Sequence, residues 1–218
     1  MARVTPIFKL TLRQMMFDPS YHGLSDDLRN FPVPDTIRIS RNRWPVPLNF
    51  TTFSKSICYG QRLFMTREEN NDFGAIFRIM DGYYHPIVTG KKWDEDDAIV
   101  FGKNILNCKV FELYPVVMLL INYMAELVKR EQRLLQRELK KIERAAGVEK
   151  LAPYSELISL DFLRDVMKIT IPEVLQTPYN ECLVRFMLNK EIEDYRERYA
   201  ELSRIESESN NKKNGRKA

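Results

Sequence analysis

The 218-residue chain is poor in the residue types that build most reactive centres. Only His22 and His85 are present, so a site made mainly of imidazoles is excluded within one chain. Cys58, Cys108 and Cys182 are odd in number, far apart and in none of the paired spacings that hold zinc. Reduced thiols are therefore expected, with neither a disulfide framework nor a zinc site. The eight glycines form no dinucleotide-binding spacing. Gly90-Lys91 and Gly102-Lys103 approach a phosphate loop, but His85 and Asp97 stand where the earlier glycine is required. The longest apolar stretch, Pro115 to Val128, is broken by Asn122 and Glu126 and falls short of the roughly 18 residues of a membrane-spanning helix. Met1 to Phe17 mixes Arg3, Lys9 and Arg13 into its apolar positions, unlike an export signal, which predicts synthesis in the cytosol and no membrane partner.

What chemistry remains is thin. Cys58 with His85 is the one pairing that suggests nucleophilic catalysis, and nothing local activates the thiol, so a buried cysteine and a loop histidine are expected. The acids Asp94 to Asp97 read as helix-capping residues, because consecutive helical side chains diverge and only Asp94 and Asp97 share a face. Asn49-Phe50-Thr51 has the form of a glycosylation acceptor, without an export route. Catalytic, metal and cofactor residues are thus expected to be none.

The residues that are abundant divide the chain in two. Residues 1–90 hold most of the prolines, including Pro32, Pro34, Pro45 and Pro47, and predict an irregular region with short helices and short strands. Ile37 and Ile39 alternate with Arg38 as in a strand, and Arg62 to Met65 suggests a second. Thr11 with Gln14 forms a capping-box pattern before a short helix, and Glu68 to Met80 reads as a helix ending near Gly82. Residues 91–205 predict a helical domain. Its first helix follows Asp94, a long one runs from Pro115 to Gly147, and shorter ones follow at Ser159–Lys168 and after Thr170 with Glu173. The last runs from Pro178 to about Ile205. Residues 206–218 read as a disordered basic tail. The fold class is mainly α, a long helical hairpin or bundle with a proline-rich, partly extended N-terminal region.

On the first long helix Ile121, Val128, Leu135 and Ile142 recur every seven residues, with Ala125, Gln132, Leu139 and Ala146 between them, a coiled-coil seam. On the last helix Val184, Leu188, Ile192, Tyr195, Tyr199 and Leu202 keep one stripe. These seams either pack antiparallel within the chain or continue into another subunit. Lys129, Arg130, Arg133, Arg137, Lys140, Lys141 and Arg144 fall within one arc of roughly 120° at 100° per residue. With Glu131, Glu138 and Glu143 this stretch is net +4, and the rest of the chain holds 27 charges of each sign. Such a face either solubilises a long helix or docks a polyanion or an acidic protein surface, with Arg41, Arg43 and Trp44 as a stacking addition.

The residues Phe8 to Gln14, Leu106 to Val117 and Glu173 to Leu183 are similar to segments of tailed-bacteriophage structural and assembly proteins, especially the tail assembly chaperone type. The order of elements carries the resemblance more than any one motif. It implies a virion or host-cytoplasm protein that binds phage structural proteins or itself, and it brings no catalytic residues. The proline-rich stretch from Pro19 to Phe50 departs from a compact all-helical assembly protein, which leaves open a transient chaperone or a lasting part of the particle. The expected function is non-enzymatic protein–protein association in a phage particle or its tail assembly. Nucleic-acid binding through the basic face and the Lys212 to Lys217 tail is the alternative.

Overall fold

The computed structural model describes residues 9–17, 28, 31–67, 72–137 and 141–214. Thr11 opens the first helix, α1 (Leu12–Phe17), through the expected reciprocal cap: its backbone N–H donates to Gln14 Oε1 at 3.0 Å, and the Gln14 N–H to Thr11 Oγ1 at 3.4 Å. Strands β1 (Thr36–Ile39) and β2 (Asn42–Pro45) form an antiparallel hairpin whose turn holds Ser40 at φ 57°, and Ile37 and Ile39 are buried as their alternation predicts. Two short helices follow, α2 (Phe50–Ser56) and α3 (Tyr59–Thr66). Asn49 of the glycosylation-like triplet is the N-cap of α2, accepting from Thr52 N–H at 2.9 Å. The strand expected over Arg62–Met65 is instead part of α3, where Leu63, Phe64 and Met65 all reach the core.

Helix α4 (Asp72–Thr89) continues well past the stop expected near Gly82 and contains Pro86. Proline cannot donate to the carbonyl four residues back, which is that of Gly82, so the helix should break there. The Gln61 side-chain amide donates to this carbonyl at 2.6 Å inside the core and fills the vacancy. Gly82 itself serves close approach, since a Cβ there would lie 2.5 Å from Met65 Cγ. Helix α5 (Glu95–Ile105) is capped by Asp94, which accepts from Asp97 N–H at 3.0 Å. It packs along α4 with Ala98, Phe101, Gly102 and Ile105, while Ile99 and Val100 are exposed.

Helix α6 (Val110–Leu135) is the central element and, against the expectation from its apolar run, is long and apolar enough to cross a membrane by length and composition alone; 44% of its apolar window is buried against the rest of the fold. It starts five residues before Pro115, because Val110 N–H donates to Leu10 O in a bridge between the N-terminal segment and the α5–α6 joint. It ends at Leu135, twelve residues before Gly147, so the continuous helix expected over 115–147 is two pieces. The second is α7 (Lys141–Ala145). Gln136 has turned to extended backbone at ψ 133°. The physical reason is that no described element covers residues beyond Leu135 on the inner side, so helix continuation gains nothing from burial there. The buried stripe of α6 is Leu113, Val117, Leu120, Met124 and Leu127, one residue out of phase with the predicted seam. Ile121, Val128 and Leu135 are only half-buried.

After α7 a 3-10 segment (Val148–Tyr154) leads to α8 (Ser155–Met167), α9 (Ile171–Gln176) and α10 (Tyr179–Asn214). Thr170 and Glu173 form the predicted capping box. Thr177 ends α9 and its hydroxyl donates to Glu173 O at 2.9 Å, so it does not cap the next helix. Tyr179 N–H donates to Ile57 O and Tyr59 N–H to Thr177 O, which pins the start of α10 beside the start of α3. The fold is mainly α, as expected, but not an antiparallel hairpin. Arg130 meets Asn180, Lys190 meets Leu134 and Arg137 meets Glu197, so α6 and α10 advance in the same sense, with α7–α9 carrying the chain back between them. The helix α10 also runs to Asn214, through most of the tail expected to be disordered from 206. Just before the tail, Arg204 pairs with Glu201 one turn away at 2.9 Å.

Candidate association surface

Helix α10 has a buried face and a bare one. Tyr179, Cys182 and Leu183 are buried, Phe186 and Met187 pack against the core, and Lys190 Nζ donates to Leu134 O at 3.1 Å. The predicted stripe lies on the other side. Val184, Leu188, Ile192, Tyr195, Tyr199 and Leu202 are between 40% and 66% exposed. These residues lie on the surface and form no internal seam with α6. Tyr195 and Tyr199 stack on each other at 6.2 Å between ring centroids. Beyond Lys190, α10 meets the body where Arg137 Nη1 lies 3.9 Å from Glu197 Oε1, with the Glu193 carboxylate also acting on Arg137. Residues 191–214 thus form an arm of roughly 36 Å.

Ile142, on the predicted first seam, is 74% exposed in α7, and Leu139 lies outside the described residues. No single seam joins Ile121 to Ile142, since the helix that would carry it is interrupted.

The same interruption dissolves the basic strip. Lys129 and Arg133 are exposed on α6, and Arg130 turns to Asn180 Oδ1 at 3.2 Å. Arg137 lies past the helix end, donates to Glu143 at 2.6 Å and faces Glu197. Lys141 and Arg144 belong to α7, and Lys140 lies outside the described residues. Only Lys129, Arg133, Lys141 and Arg144 are exposed and without an ion pair among the described residues, and they sit on two helices. Glu131 is not a decoration of that face. It accepts from Arg62 at both oxygens, with Arg62 Nε to Glu131 Oε1 at 2.9 Å, in a pair whose side chains are 20% and 16% exposed.

This pair lies at a cleft of about 390 Å³ between α3, α6, α8 and α10, which also holds Tyr59, Tyr179 and Arg67. Burial pushes Tyr59 up to about 12 and also raises Tyr179, so both phenols stay protonated at neutral pH. Arg67 is taken by Glu95 and Glu156. The charges in the cleft neutralise one another and bind the helices together. Sequence reasoning missed them, because Arg62 and Glu131 are 69 residues apart and no spacing signals such a pair.

A second cavity, between α4 and α5, contains Asp81, buried and pushed up to about 8 by desolvation, with Oδ1 lacking a partner among the described residues. The nearby His85 is also buried, is lowered by desolvation, and packs edge-on against Phe101. It belongs to a helix, not a loop. Burial raises the Cys58 thiol, which favours its protonated form, and Cys108 and Cys182 are pushed up to about 12. His22 lies outside the described residues. Trp44 is half-buried, and Arg43 bonds back to Thr36 Oγ1 at 2.9 Å while it and Arg41 stay exposed. Among the described residues no group of acids, histidines and cysteines could hold a metal ion. No family model, curated protein or solved structure matches the chain.

Proposed function

We propose that this protein is a non-enzymatic assembly component that works by protein–protein association. The observation that supports this most is the apolar stripe on α10, six large side chains in line on a helix that leaves the body. Contiguous apolar surface of this kind marks interaction sites. The resemblance of the segments at 8–14, 106–117 and 173–183 to tailed-phage proteins supports a particle or its tail assembly as the setting, in the host cytoplasm or the virion. Phe8 lies outside the described residues.

Nucleic-acid binding is the second reading, supported by Lys129, Arg133, Lys141 and Arg144, which are exposed and free of ion pairs among the described residues. It is weaker because Arg130 and Arg137 are turned to partners within the chain. Size-exclusion chromatography with light scattering and absorbance at 260 and 280 nm separates the two. A species larger than one chain and free of nucleic acid supports association. A monomer carrying nucleic acid that high salt strips off supports the second reading and overturns the first.

A further inference from the structure

The association reading leaves the partner of the α10 stripe unnamed; on top of that reading, the sequence of the stripe points to a second copy of this chain. We propose that α10 pairs in parallel with α10 of another copy, as a short two-stranded coiled coil over Leu188–Leu202. Leu188, Ile192, Tyr195, Tyr199 and Leu202 step by four, three, four and three, the spacing of two alternating core positions in a seven-residue repeat. Ile192 takes the position where a β-branched residue favours two strands, and Leu188 and Leu202 take the position where leucine does.

The stripe is also free to meet a partner. The residues that face the body, Leu183, Lys190 and Glu197, repeat every seven and lie roughly 160° around the helix from the centre of the stripe. A second copy therefore approaches from the side opposite the body, and its own body lies outward by the same geometry. The two bodies do not compete for the seam.

Charge chooses the orientation. Glu191 and Arg196 flank the stripe on opposite sides, both are exposed, and neither has an ion pair among the described residues. In a parallel pair, residues five apart at these flanking positions meet across the interface. Glu191 of each copy then faces Arg196 of the other, twice by symmetry. An antiparallel pair sets Glu191 against Arg198 but brings Arg196 against its own copy, a like-charge contact.

The test is light scattering on the full chain over a concentration series, with circular dichroism to verify that each variant is folded. A monomer–dimer equilibrium is expected. Glu191→Arg should weaken it about tenfold, and adding Arg196→Glu should restore it. Restoration by Glu191→Arg with Arg198→Glu instead overturns the parallel order. A wild-type chain that stays monomeric throughout overturns self-pairing. In that event an apolar dye distinguishes the two failures. Dye fluorescence that falls in Leu188→Glu/Leu202→Glu leaves the association reading standing with another partner, and unchanged fluorescence removes both.

Discussion

Helices α6 and α10 look alike in sequence, each long and each with apolar residues at heptad spacing, but they do opposite work. The apolar stripe of α6 is at most 6% exposed at Leu113, Val117, Leu120, Met124 and Leu127, and the hairpin, α2, α4 and α10 all pack on it. The apolar stripe on the outer half of α10 faces solvent, from 40% exposed at Ile192 to 66% at Leu202. The difference lies in what surrounds each helix. A periodic apolar face says only that something covers it; whether that is the same chain depends on where the ends are tied. The start of α10 is tied at Ile57, and its far end has no described element to lie on.

The sharpest way to break this contrast is to perturb the body and the arm separately. The largest effect is expected at Asp81. Its folded value near 8 is above the usual 3.8, so the unfolded chain ionises first and stability falls as pH rises from about 4 to about 8. Asp81→Asn should remove that slope and stabilise the fold at pH 7 by as much as about 4 kcal/mol, read from denaturant melts at pH 5 and 8. Next, Leu120→Ala should cost about 3 kcal/mol by leaving a cavity in the core. Glu131→Ala should cost about 2 kcal/mol, because the half-buried Arg62 loses its partner; an unchanged melting midpoint would show that the cleft does not join the helices. In the arm, Leu202→Ala should change stability by no more than about 0.5 kcal/mol while lowering the association measured by light scattering. If its melting curve moves as far as that of Leu120→Ala, the arm is part of the body and the contrast is wrong.

Local signals were legible from the residues alone. Thr11 with Gln14, Asp94 and Thr170 with Glu173 cap helices as their side-chain chemistry dictates, and Ile37 and Ile39 point inward as their alternation requires. Each involves partners within four residues, or one face of one strand. The failures involve partners far away. Pro86 stays inside α4 because Gln61, 21 residues before Gly82, supplies the missing donor. Helix α6 is apolar on more than one face, from Met118 through Ile121, so its spacing alone could not choose between two registers one residue apart. The basic arc assumed an unbroken helix from 129 to 144, and tertiary support ends at Leu135. On the candidate surface, the sequence placed the stripe residues of α10 on one face, but signalled neither their exposure nor the Arg62–Glu131 pair.

The two backbone bridges, Thr11 with Lys109 and Cys58 with Pro178, bear on how the protein is made. Each joins segments roughly a hundred residues apart, so neither half of the chain can close on its own as it leaves the ribosome. Helix α3 waits for Thr177 and Tyr179 before its first backbone groups are paired. Long-range closures of this kind slow folding and prolong exposure of apolar surface. Closure of this fold therefore requires Thr177 to Tyr179 to have been synthesised, and until then α6, with its largely apolar sequence, is the segment most in need of protection.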